Sequence, residues 1–461
     1  MPPKFGTSGL RGLVTELTET LVADHVAAFI SACPTGTGLF IGQDLRSSSP
    51  MLADVVARTG QAAGLAVTDC GAVPTPALAM ASMQAGAAAV MITGSHIPDD
   101  RNGLKFYTPE GEITKEHEAA ILATLGTSSG AATAGPAPAS NTGANAAYIA
   151  RYVTAFGPEA LAGLTIGVYS HSAVGRDVLI EAFQALGAKT LELGRADRFI
   201  PVDTEAVDAE TRAQLAAWAA EHPLDAIAST DGDGDRPLMT DETGRVIVGD
   251  VLGQITGAML GAEVAVTPVS SNTGAEAGGA FGRVIRTRIG SPFVIAGMEQ
   301  AGGKVVGYEA NGGFLLGFEA QGPAGPLPPL MTRDALLPLI APLVQARGAG
   351  GLAALVAAQP PRFTAADRLQ EVPTERSLAL VASLSSSAEE RARFLASFEG
   401  SEARIDQTDG LRITMTDGRI VHLRPSGNAP ELRFYGEADS AAAAEALLAE
   451  GLAILRAAVD G

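Results

Sequence analysis

The sequence predicts an α/β protein: three related mixed α/β domains followed by a C-terminal α+β domain. Three observations lead there. At 461 residues the chain is too long for one hydrophobic core, since domains typically run ~100–200 residues. Its composition, 46% hydrophobic and 18% charged, is that of an ordinary globular protein. One pattern also recurs three times: strand, polar loop, Ala-rich helix, Gly break, strand. Short apolar strands alternating with helices imply parallel sheet under helical cover.

In the first copy, Gly38–Asp44 reads as strand, Met51–Ala63 as helix and Ala66–Gly71 as strand. A buried helix over Ala77–Ala85 and a buried strand over Ala87–Ile92 follow. The Gly/Ala/Ser/Thr/Pro-rich stretch Gly126–Asn145 carries no charge and reads as a linker. The second copy runs Leu164–Ser170, helix Arg176–Leu186, strand Lys189–Gly194. The third runs Val264–Val269, helix Gly274–Gly282, strand Arg283–Gly290. Gln321–Pro329, with four prolines, reads as a surface loop, and Gln359-Pro360-Pro361 opens the last domain. There Leu411–Thr416 and Arg419–Leu423 form a hairpin across Asp417-Gly418, Glu431–Gly436 adds a strand, and Ser440–Val459 closes as an amphipathic helix. The expected domains are 1–145, 146–250, 251–358 and 359–461.

Bulk chemistry excludes several functions. The net charge of −19 repels a phosphate-rich polymer, so no nucleic-acid partner is expected. A small phosphorylated ligand remains open if arginines are focused in a cleft. Cys33 and Cys70 form neither a C-x-x-C pair nor a metal spacing, and a reduced, cytoplasmic compartment is the plain reading. The N-terminus shows no apolar signal region. Val73–Pro98 is uncharged, but Pro74, Pro76, Ser82, Gln84 and Gly86 make it a turn, helix and strand rather than a membrane span.

Four stretches carry chemistry. Asp231, Asp233 and Asp235 follow the apolar strand Asp225–Thr230, and intervening glycines let three carboxylates converge. Such hard oxygen ligands suit Mg²⁺ or Ca²⁺, with Arg236 a phosphate donor beside the metal. An EF-hand is disfavoured because Arg236 stands where that loop needs Gly and a strand precedes it. A dehalogenase-type phosphatase would use an Asp nucleophile in a motif that normally opens a domain. Ser95 follows the strand Ala87–Thr93, and Gly94 permits a sharp turn that would expose Ser95 at a sheet edge. It lacks a Ser-His-Asp frame and a G-x-S-x-G elbow. As a bare hydroxyl it is a weak nucleophile; as phosphoserine it would donate a phosphoryl group. His96 reads as a positioning residue more than a base. Lys105 suits proton transfer if a neighbouring cation lowers its pKa. Glu309 and Asn311 pair a carboxylate with an amide, suited to adjacent sugar hydroxyls. Arg424, Ser426, Gly427, Asn428 and Arg433 form an anion nest. Nucleotide-binding glycine fingerprints are absent.

This set resembles the α-D-phosphohexomutase family, which includes phosphoglucomutases, phosphomannomutases and phosphoglucosamine mutases. Phe5–Gly12 is similar to that family's opening motif, and Gly42–Ser48 and Val73–Pro76 also match. The resemblance spans essentially the whole chain. It implies four domains around a central cleft, with Ser95 as the phosphoserine. Mg²⁺ would be bound by Asp231, Asp233, Asp235 and a Ser95 phosphate oxygen. Arg11 and Arg236 would contact the transferring phosphoryl, with Lys105 in proton transfer and His96 beside them. Glu309 and Asn311 would hold sugar hydroxyls; Arg288, Gly290 and Ser291 would form a substrate-dependent loop. The Arg424–Asn428 loop and Arg433 would hold the other phosphate. PhosphoSer95 would convert a hexose phosphate to a 1,6-bisphosphate, which flips and returns its other phosphate, aided by a hinge near Gln359. The bisphosphate would act as activator. Mannose phosphate is the favoured substrate, glucose or glucosamine phosphate the alternatives, in a monomer or homodimer without membrane attachment. A phosphatase or a non-catalytic sugar-phosphate-binding or Ca²⁺-binding protein is the rival class. Three positions depart from the family pattern or leave it open. Ile97 replaces an Asn, Gly313 stands where some members place a His, and Ser291 varies with substrate.

Overall fold

The computed structural model describes residues 3–6, 9–126, 135–426 and 430–460. Thr7 and Ser8 of the opening motif, and Gly427 and Asn428 of the phosphate loop, lie outside the described residues. Contacts divide the chain into two compact units, one of 1–263 with 290–356, the other of 264–289 with 357–461.

The first unit carries two mixed sheets. In the N-terminal sheet, Leu39–Gln43 lies between Val67–Ala72 and Ala88–Ile92, parallel to both. Ala88–Ile92 then pairs antiparallel with Arg101–Thr108, which pairs with Leu10–Leu13. The central strands are apolar because both faces are covered. Val22, Val26, Phe29, Leu52, Val56, Ile92 and Leu104 pack in one core. The second sheet repeats the plan: Thr165–Tyr169 is parallel to Lys189–Leu193 and Ala226–Thr230, and the latter turns back into Pro237–Thr240. The antiparallel strands Val305–Tyr308, Phe314–Leu316 and Leu330–Asp334 also belong to this unit. In each plan a functional loop therefore sits between a buried strand and its antiparallel return.

The second unit has parallel strands Val264–Pro268 and Arg283–Thr287. It also has a five-stranded antiparallel sheet in the order Phe363–Gln370, Glu431–Ala438, Ile420–Pro425, Leu411–Met415, Glu402–Asp406. Helix Ala441–Asp460 packs on that sheet, and Gly418 makes the hairpin turn at φ 86°.

Three elements differ from expectation. The third-copy helix is one turn, Gly274–Ala277, because Gly278 and Gly279 follow, the latter at φ 63°. Within Gly126–Asn145, Ala139–Ser140 forms a short strand parallel to Thr68–Asp69. Gln321–Pro329 is tied into a two-stranded ribbon of Ala320–Gln321 and Pro326–Leu327, with Leu327 fully buried. Both cysteines are free and buried. Among the described residues no helix is long and apolar enough to cross a membrane.

Candidate active site

Ser95 leaves the C-terminal end of a central strand, not an edge strand, and it is fully buried rather than exposed. The loop folds inward because Arg46 gathers it. The Arg46 guanidinium donates to Asp44 Oδ2 (3.1 Å) and to the carbonyls of Ser95, Ile97, Pro98 and Arg101 (2.6–3.1 Å). It lies 3.8 Å over the Phe199 ring. Asp44 also accepts from Thr93 Oγ1 (2.8 Å), and Thr93 Oγ1 accepts the Ser95 N–H (2.7 Å). A Cβ on Gly94 would lie 2.6 Å from Arg46 Cζ, so a side chain there would have to displace the guanidinium that gathers the loop. Ser95 itself is held at φ 54°, a left-handed conformation costly for a non-glycine residue and sustained by these bonds.

The aspartate loop closes tightly. Thr230 pairs with Pro237, the Asp231 N–H donates to the Arg236 carbonyl (3.1 Å), and Gly234 turns at φ 74°. Asp231, Asp233 and Asp235 are buried, with ligand oxygens all within 4.8 Å of one another. Ser95 Oγ donates to Asp231 Oδ2 at 2.6 Å. Thr75 Oγ1 donates to Asp233 Oδ2 (2.7 Å), and Lys105 Nζ bridges Asp233 (2.5 Å) and Asp235 (2.6 Å). Asp233 Oδ1 and Asp235 Oδ1 are buried without a donor. Burial, then Asp233 and Asp235, push the Asp231 carboxyl well above its usual range. Burial also acts to raise Asp233, but Lys105, Thr75 and Arg333 outweigh it and leave that carboxyl low. A cluster of hard oxygens with unsatisfied lone pairs fits a divalent cation such as Mg²⁺. Proton transfer by Lys105 was made conditional on a neighbouring cation; its direct partners are these two carboxylates.

Arg236 Nη1 lies 2.8 Å from His96 Nδ1. A guanidinium only donates, so Nδ1 keeps its lone pair and the proton sits on Nε2. Burial, then Arg236 and Arg11, pull the imidazole down to about 2. His96 is thus a neutral acceptor that aims Arg236. Arg11, on Leu10–Leu13, is lowered to about 10 by burial and by Arg236, and it also senses Arg333, Asp233 and Asp235.

Glu309 follows the buried strand Val305–Tyr308, in a turn closed by Gly312 N–H to the Glu309 carbonyl (2.9 Å). Burial raises its carboxyl, against Arg333 and Arg236. Asn311 spends its side-chain oxygen on the Gly313 N–H (3.0 Å), leaving its amide group for other partners. Gly290 precedes helix Ser291–Ala301 at φ 127°, and Ser291 Oγ donates to Glu112 Oε2 (2.7 Å).

Sequence reasoning assigned no role to Arg333, whose guanidinium faces Asp235 (2.9 Å), Glu309 (3.7 Å) and Glu112 (4.0 Å). A charged Arg333-Asp334 pair ending an apolar strand was its only signal. Arg46, Asp44 and Thr75 stood inside noticed motifs, but their partners could not be read from spacing. In the second unit, Arg424 pairs with Asp409 (2.9 Å), which also accepts the Ile289 N–H (3.1 Å). Arg288 Nε donates to the Thr408 carbonyl (3.3 Å). Arg424 and Arg433 are cross-strand partners, and Ser426 is buried beside them.

Four family models match the chain in order, all described as phosphoglucomutase/phosphomannomutase. They are the alpha/beta/alpha domains I, II and III over residues 2–130, 146–244 and 240–363, and the C-terminal domain over 374–453. A phosphomannomutase of Sinorhizobium fredii is 46% identical, covering 99% of each chain. One of Salmonella muenchen is 42% identical over 95% of this chain and 92% of its own. A phosphoglucomutase/phosphomannomutase family protein of Burkholderia thailandensis shares the fold at TM-score 0.79 and 20% identity, covering 98% of this chain and 97% of its own.

Proposed function

The chain belongs to the phosphoglucomutase/phosphomannomutase family, the α-D-phosphohexomutases, and from that premise we propose that it interconverts mannose 1-phosphate and mannose 6-phosphate. The sugar assignment is supported by two near-full-length relatives of 46% and 42% identity, both named phosphomannomutase. Glucose and glucosamine phosphates are the alternatives, the latter because more distant relatives are named phosphoglucosamine mutase. The observation that carries the reaction type is the Ser95 hydroxyl on Asp231 within the three-aspartate cluster.

In this reading phosphoSer95 gives its phosphoryl group to the free sugar hydroxyl. The P–Oγ bond breaks, a P–O bond to the sugar forms, and the hexose 1,6-bisphosphate results. The sugar hydroxyl loses one proton and Ser95 Oγ gains one, with Lys105 as the carrier. After the bisphosphate turns over, the reverse transfer restores phosphoSer95. Arg11 and Arg236 stabilise the phosphoryl charge and His96 aims Arg236. Mg²⁺, held by Asp231, Asp233, Asp235 and a phosphate oxygen, would withdraw charge from the transferring group. Glu309 and Asn311 hold sugar hydroxyls, with the Gly290-Ser291 turn bordering them. Arg288, Arg424, Ser426, Gly427, Asn428 and Arg433 take the distal phosphate. The enzyme of this reading has four domains, 1–145, 146–250, 251–358 and 359–461, works in the cytoplasm as a monomer or homodimer, and takes the bisphosphate as activator.

A ³¹P NMR time course with Mg²⁺, trace hexose 1,6-bisphosphate and mannose or glucose 1-phosphate tests this. Hexose 6-phosphate should grow, fastest from mannose, depend on the bisphosphate, and vanish in Ser95→Ala. Accumulating inorganic phosphate would instead mark a phosphatase, and full turnover by Ser95→Ala would remove Ser95 from the mechanism.

A further inference from the structure

Arg333 is almost fully buried, 3% exposed, yet its Nε and Nη2 have no hydrogen-bond acceptor. Its ion pairs reach three separate segments: Asp235 of the aspartate loop, Glu309 of the sugar loop, and Glu112. Burying a guanidinium with unmet donors is costly; Nη2 lies 2.9 Å from Asp235 Oδ2 without being aligned to donate to it, and Nε stands 4.0 Å from Glu112. The adjacent Asp334 accepts from both the Tyr148 and Tyr152 hydroxyls and from the Leu336 N–H (3.0 Å). The backbone under Arg333 is therefore firmly anchored, and its aim is set.

The space it occupies is made by a neighbour. A Cβ on Gly313 would lie 2.9 Å from Arg333 Cδ and 3.0 Å from Cγ. The missing side chain at 313 and the arginine at 333 are thus a matched pair. Arg333 also joins Arg11 and Arg236, and the three guanidiniums repel one another across the site. Against burial and that repulsion, neighbouring carboxylates hold Arg236 and Arg333 cationic, so their donors stay charged toward an incoming phosphoryl group.

We propose that Arg333, in the room left by Gly313, is a third guanidinium contacting the phosphoryl group that moves between Ser95 and the sugar. This deepens the mutase reading and rests on it. The rival is a purely structural brace that holds Glu309 and Asp235; a brace on Asp235 would weaken Mg²⁺ binding in Arg333→Lys, whereas a phosphoryl contact leaves the Mg²⁺ dependence unchanged.

The two roles separate on phosphorylated enzyme. A phosphoryl contact assists transfer from phosphoSer95 to any acceptor, water or sugar. A Glu309 brace assists transfer to sugar alone. In Arg333→Lys, which keeps the charge but loses the fork, kcat should fall about a hundredfold. Hydrolysis of phosphoSer95 without sugar should slow by a similar factor, with little change in KM. Unaltered hydrolysis with slowed sugar transfer, or raised KM with kcat intact, would overturn the proposal. Gly313→Ala supplies a second line. It should slow phosphoSer95 hydrolysis in the wild-type background and add nothing in Arg333→Met; equal losses in both backgrounds refute the pairing. If wild-type enzyme turns over no hexose phosphate, the parent reading fails first, whatever the variants do.

Discussion

Replacing Arg46 with lysine should loosen the Ser95 loop while leaving the rest of the protein folded. Arg46 places all five N–H donors, one on Asp44 and four on loop carbonyls. An ammonium has three donors and no plane to stack on Phe199. At least two of the five acceptors would lose their partner, each costing about 1–3 kcal/mol, so the loop is destabilised by about 2–6 kcal/mol. That cost exceeds what a left-handed Ser95 can absorb, and the loop is expected to open locally before the unit unfolds. Amide hydrogen exchange should show protection lost at Ser95, Ile97 and Arg101, with strand Leu39–Gln43 still protected. Turnover should fall by at least about tenfold, because Ser95 no longer rests on Asp231. Wild-type protection of those amides in Arg46→Lys would refute the argument that this guanidinium holds the loop.

Two further outcomes follow from buried charge. Lys105→Met leaves Asp233 and Asp235 facing each other without the bridging ammonium. The metal-free protein should lose about 3–5 kcal/mol, and saturating Mg²⁺ should raise its melting temperature more than it raises that of wild type. An equal Mg²⁺ shift in both would mean that Lys105 does not offset the aspartate charge. His422 is buried, bonded to the Asp409 carbonyl (2.6 Å) and stacked on Tyr435. Burial pulls it from 6.5 down to about 4. The native ring stays neutral where the unfolded chain protonates, so stability falls as pH drops through that window, by up to ~3 kcal/mol. His422→Asn should flatten the urea midpoint against pH there; an unchanged slope would show that the native ring protonates normally.

The legible parts of the fold were those governed by local pattern. Apolar runs gave the strands at Leu39, Thr165 and Ala226 within a residue or two, since burial on both faces leaves no other composition. The Asp-Gly alternation at 231–235 announced converging carboxylates because few backbones tolerate that spacing otherwise. The short helix at Gly274 was overextended because the Gly278-Gly279 break was underweighted against the repeat. Burial of Ser95 was missed because it depends on Arg46, forty-nine positions away, and long-range satisfaction of carbonyls leaves no periodic trace. Arg333 was missed for the same reason: its three carboxylate partners come from separate segments, none adjacent in sequence.

The three functional loops hang from hairpins of unequal span. Thr230 pairs directly with Pro237, and Tyr308 with Phe314, so the aspartate and sugar loops inherit their shape from the strands beneath. The serine loop bridges a wider gap, from Ile92 to Leu104 in the strand register, and must be splinted from outside by Asp44 and Arg46. Its chemistry is therefore not portable on its own segment. The aspartate loop can change residue by residue within a fixed frame, whereas the serine loop can be transplanted or diversified only together with a strand end fifty residues upstream.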